Sequence, residues 1–100
     1  MSILTIPLLE ATNQTFTVKI DDKDCSIRLY ESSGYLYMDL IITFESYTYG
    51  AVCLNNTPIK IDRQSILKST LYFEDVEGSS DPLLIGLGTR YLLRIGNGIP

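Results

Sequence analysis

Apolar and polar residues alternate with a period of two along most of the chain, the pattern of strands with one face in a core. In "TFTVKI", Phe16, Val18 and Ile20 face one way and Thr15, Thr17 and Lys19 the other. "CSIRLY" sets Cys25, Ile27 and Leu29 against Ser26, Arg28 and Tyr30. "YLYMDLII" turns Leu36, Met38, Leu40 and Ile42 inward, and its other face carries Tyr35, Tyr37, Asp39 and Ile41. Further strands are expected over Tyr47–Leu54, in "STLYFEDV" and in "RYLLRI", with "IKI" (Ile59 to Ile61) a short strand or its remnant. Gly50 inside a strand points to a bulge or a close backbone approach.

The punctuation between these segments is short. "DDKD", "ESSG", "NNTP" and "EGSSDP" are turns by composition. Sequential strands with tight connections pair antiparallel, so residues 15–42 should form a meander. "DRQSILKS" is the one stretch with a helical look, and at most one short helix is expected, near Gln64 to Ser69. The fold expected is all-β: a small antiparallel barrel or sandwich of about six to seven strands, forming a single domain over residues 1–100. Residues 1–12, "MSILTIPLLEAT", are either an N-terminal arm or a first strand, since Pro7 keeps them out of a central sheet position. The expected core is Phe16, Val18, Ile27, Leu29, Leu36, Met38, Leu40, Leu71, Phe73 and Leu92.

Composition narrows the function classes. With 45% hydrophobic and 20% charged residues the chain is globular rather than disordered. The formal net charge of −4 and the scattering of the eight basic residues argue against nucleic acid as a partner. No apolar run is long enough to span a bilayer as a helix, and the N-terminus lacks the basic flank of a secretion signal. Cys25 and Cys53 are therefore expected as buried, reduced thiols, unless their strands are neighbours and geometry allows a bond.

Catalytic chemistry is poorly provided for. Without histidine there is no Ser-His or Cys-His pair, and two cysteines fall short of a closed zinc site. The carboxylates Asp21, Asp22, Asp24, Asp75, Glu77 and Asp81 sit in turn contexts, where Asp is favoured for its local hydrogen bonds. "DVEGSSD" lacks the spacing of a calcium loop. "GLGTRY" begins like a dinucleotide fingerprint, but it lacks the third glycine and precedes a strand instead of a helix. A conformational role suits that segment better. Pro82 pushes Asp81 out of the helical region, and Gly86 and Gly88 allow positive φ or a close backbone. Arg90 and Tyr91 are adjacent in a strand, so one reaches outward to a carboxylate while the other packs. No enzyme activity, cofactor or metal is expected.

Several blocks in fixed order carry a resemblance. "NQTF" precedes the first confident strand, an Asp turn leads into "CSIRL", and "LYMDL", "GAVC" and "LYFED" follow. Asp81-Pro82 then leads to "GLGTRYLL", the most distinctive block. Together they make nearly the whole chain similar to the baseplate plug proteins of contractile-tailed bacteriophages. The resemblance implies a non-enzymatic virion part, made in the bacterial host cytoplasm. It would pack with other tail baseplate proteins (hub, spike and tail tube) to close or organise the central channel, as a homo-oligomer in the assembled tail. Structural or interaction roles are expected for Asp81, Pro82, Gly86, Gly88, Arg90 and Tyr91, and for Tyr37 and Asp39 in the tyrosine-rich "LYMDL" strand. Tyr30, Tyr35, Tyr47, Tyr49 and Tyr72 add aromatic area on strand faces, which suits interfaces. The alternative is a small β-barrel module that binds a ligand such as a carbohydrate.

Overall fold

The structure is a computed structural model that describes residues 4–11, 13–43, 45–61 and 69–96. Of the short helix expected near Gln64 to Ser69, all but Ser69 lies outside the described residues. Among the described residues, seven strands form two antiparallel sheets. In chain order they are β1 (Leu4–Ile6), β2 (Asn13–Ile20), β3 (Lys23–Ser32), β4 (Tyr35–Ile42), β5 (Ser46–Val52), β6 (Thr70–Asp75) and β7 (Tyr91–Gly96). One sheet is the meander β2-β3-β4-β5 and the other has the order β1-β7-β6. The two face each other as a sandwich, and among the described residues no ladder closes them into a barrel.

The meander follows from local chemistry. Asp21 and Asp22 have φ of 52° and 63°, and Ser33 and Gly34 have 52° and 84°. Two successive positive φ values mark the tight turns whose twist matches antiparallel strands. These turns set the registers Ile20↔Lys23 and Ser32↔Tyr35, and alternation does the rest. Ile27, Leu29, Leu36, Met38 and Leu40 are buried, and Phe16 and Val18 pack against the core with partial exposure.

The second sheet joins the two ends of the chain. Leu4 pairs with Ile95 and Ile6 with Leu93, while Leu71 pairs with Ile95 and Phe73 with Leu93. Its inner face carries Leu71 and Phe73 against Ile95 and Leu93. Leu92 is therefore not a core residue, contrary to expectation. Tyr91, Leu93 and Ile95 hold the inner face of β7, and Leu92 shares the outer one with Arg94, whose guanidinium binds Glu74 and Thr5. Ile59 and Ile61 are buried without forming a strand; their segment is tied to β6 by Ile59 N–H to the Leu71 carbonyl and by a single bridge from Pro58 to Tyr72.

Cys25 lies opposite Ile42 at one end of β4, and the Cys53 N–H binds the Leu36 carbonyl at the other. Six residues of strand separate those points by about 20 Å, which rules out a Cys25–Cys53 disulfide. Both thiols are free and buried. Burial raises the Cys25 pKa and pushes that of Cys53 up to about 12, so both are protonated and unreactive.

Candidate functional site: the corner between the last two strands

The chain from Val76 to Arg90 has no regular structure, yet its polar groups are closely paired. The organising group is Asp75, the last residue of β6. Alternation places it on the inner face, opposite Tyr91. Its side chain has no exposure, because Arg90 and the following loop cover it. Arg90 binds it through Nε and Nη2, at 2.8 and 2.9 Å, a two-pronged geometry. The backbone N–H groups of Glu77 and Ser80 also donate to it, at 2.9 and 2.8 Å. The Arg90 hydrogen bonds, helped by these two amides, hold the Asp75 carboxyl well below the usual carboxylate range. The charge is thus satisfied on every side, which a buried carboxylate requires.

The sequence-predicted residues gather around this pair. Asp81 accepts a hydrogen bond from Asn55 N–H at 2.9 Å, and the Asn55 side chain accepts from Asp75 N–H at 3.0 Å. The loop is thereby tied to the chain leaving the meander. Pro82 is fully buried. Tyr91 is buried with its hydroxyl 3.3 Å from Ser80 Oγ, and the Arg90 guanidinium lies over its ring at 5.1 Å. Of the two arrangements open to Arg90 and Tyr91, the arginine meets the carboxylate and the tyrosine packs.

Gly86 and Gly88 have φ of 104° and 86°. The Gly86 carbonyl accepts from the N–H groups of Thr89, Arg90 and Tyr91, and its own N–H donates to the Glu10 carboxylate at 2.5 Å. A side chain at Gly88 would run into the Leu8 carbonyl oxygen, so the N-terminal segment crosses that position with no room for a Cβ.

Tyr37 and Asp39 lie elsewhere, on the outer face of the meander. Asp39 faces Arg28, whose Nη1 is 3.5 Å from its Oδ2. Its Oδ1 accepts from Gly50 N–H at 2.8 Å and from the Tyr30 hydroxyl at 3.3 Å. Two residues, Tyr49 and Gly50, oppose Asp39 alone, and this bulge is what Gly50 in its strand context marked. Tyr30 stacks on Tyr37 at 5.9 Å, with Arg28 over the Tyr30 ring at 4.6 Å. Burial, followed by the Asp39 charge, raises the Tyr30 pKa. The predicted residues thus divide into two separate clusters.

A family model described as the cyanophage baseplate Pam3 plug gp18 matches residues 3–98. The chain belongs to this baseplate plug family. A search of curated proteins returned no match.

The blocks that carried the resemblance fall on the strands and the corner of this chain. "NQTF" opens β2, "CSIRL" and "LYMDL" are the paired centres of β3 and β4, and "LYFED" ends at Asp75. "GLGTRYLL" forms the corner and enters β7. Sequence reasoning missed Asp75 as the partner of Arg90, although Leu71, Phe73 and Asp75 share one alternating face. It also missed Glu10 and Asn55, which meet the corner from distant parts of the chain and leave no local signal. Among the described residues no group of three or more His, Cys, Asp or Glu is placed to hold a metal ion. An open groove of about 470 Å³ runs beside β5, lined by Thr48 to Val52 with Leu54, Thr57, Pro58 and Lys60.

Proposed function

We propose that the chain is a non-enzymatic structural part of a phage tail baseplate. It packs as a plug with the hub, spike and tail tube proteins and closes or organises the central channel until contraction. It does so in more than one copy, within the virion, after synthesis in the host cytoplasm. The family match over residues 3–98 carries this reading. A stiff corner fastened by a buried ion pair suits a part that must hold its shape among neighbours.

The test is a phage lacking this gene, complemented with the tagged chain. The tagged chain should purify with tails, in fixed ratio to the tail tube protein, and tails made without it should fail to assemble or leak DNA. Full infectivity without the chain, or its absence from purified tails, contradicts the reading. Saturable glycan binding that perturbs Thr48–Val52 in solution would instead support a ligand-binding module.

A further inference from the structure

The net negative charge of the described residues is concentrated at one end of the sandwich. The corner is built where β6 ends and β7 begins, and Glu10 reaches it from the N-terminal segment. Asp81 is tied there through Asn55, two residues beyond the Cys53–Leu36 contact. Leu36 pairs with Glu31, which puts Glu31 at the same end. Among the described residues, five of the 11 acids (Glu10, Glu31, Asp75, Glu77 and Asp81) and one of the six bases (Arg90) therefore lie at this end, and Arg90 is consumed by Asp75. The other described residues carry six acids and five bases, which nearly cancel. This end thus carries −4 of the net −5 held by the described residues.

The same end presents apolar side chains to solvent. Ile85 is 84% exposed and Leu9 70%; they immediately precede Gly86 and Glu10, which are hydrogen-bonded to each other, with Leu83 at 42% nearby in the chain. These side chains stand on backbone that Glu10, Gly86 and the Asp75–Arg90 pair hold in place, so little ordering entropy remains to be lost on docking. A single exposed aliphatic residue is ordinary, but a pre-ordered group with a one-sign rim is how an anchor and its steering field are arranged.

We propose that this end is a docking surface, in which Ile85 and Leu9 enter an apolar pocket of a different protein whose rim is rich in Lys and Arg. Charge complementarity sets the partner: a second copy presenting the same end would bring two charges of −4 together, so pairing of like ends is opposed. The identity of the partner as a tail protein rests on the baseplate reading above.

The test uses the complemented phage with three variants. Ile85→Ser removes the anchor. Glu31→Lys with Glu77→Lys reverses the rim at two exposed positions. Thr15→Lys with Thr17→Lys adds positive charge on the exposed face of β2 as a control. The first two are expected to lower the amount of chain per tail by at least about tenfold while keeping the wild-type melting curve, and the control to incorporate normally. A photo-crosslinking residue at position 85 should join a basic segment of another tail protein. Incorporation of the first two variants at the wild-type level, or a crosslink from position 85 to another copy of this chain, overturns the docking surface and leaves the baseplate reading standing. Absence of the wild-type chain from tails overturns both.

Discussion

The meander and the corner reach order by opposite routes. In β2 to β5 each strand follows its partner after a two- to three-residue turn, and stability comes from buried aliphatic side chains on one alternating face. The corner has almost no regular structure. It is fixed by a carboxylate with four donors, a carbonyl with three, and a backbone crossing that only glycine permits. One region is made by pattern and tolerates substitutions that keep it. The other is made by particular atoms and tolerates very few.

Substitutions should separate the two regions. The largest effect is expected at Gly88→Val, where a β-branched residue at positive φ also meets the Leu8 carbonyl. Strain and overpacking together should cost about 2–6 kcal/mol in urea unfolding, or prevent folding. A loss below about 1 kcal/mol would show that the corner relaxes, as no fixed crossing could. Next, in the meander, Leu40→Ala should cost about 2–5 kcal/mol. Within β7 the contrast between Leu93→Ala, at a similar cost, and Leu92→Ala, at about 1 kcal/mol, checks the face assignment, and equal losses would undo it.

The corner should respond to acid through Asp75. The folded pKa of Asp75 is depressed below its ordinary value of 3.8. Its contribution is therefore fully present above that value and lost as pH falls through the folded pKa. Asp75→Asn should lower stability at neutral pH and flatten the fall in stability below about pH 4, while Leu40→Ala should leave the slope of that fall unchanged. Parallel pH profiles for wild type and Asp75→Asn would remove the buried ion pair from the explanation. The smallest effect concerns the thiols: both should resist a disulfide reagent in the native state and react at once in denaturant, and rapid native labelling of Cys53 would contradict its burial.

Legibility in the sequence followed the same division. The meander could be read because its information is local: turn residues at Asp21-Asp22 and Ser33-Gly34, and alternation between them. The β1–β7 pairing could not, since nothing at Leu4 specifies Ile95 some ninety residues away. The adjacent leucines 92 and 93 left β7 ambiguous by one residue, and the signal that resolves it is that Leu92 shares its period with Arg90 and Arg94. At the corner the backbone demand was legible in Gly86 and Gly88, but the partners that meet it, Glu10, Leu8 and Asn55, come from elsewhere.

The central claim is that the irregular corner is as firmly held as the sheet beside it. Native-state amide hydrogen exchange, read residue by residue, tests this most directly. The N–H groups of Gly86, Gly88, Arg90 and Tyr91 all have partners, and they should exchange on the timescale of the β3–β4 ladder, by the same global opening. Fast exchange confined to residues 76–90, with β3 and β4 still protected, would show a loose loop on a rigid meander and contradict the claim.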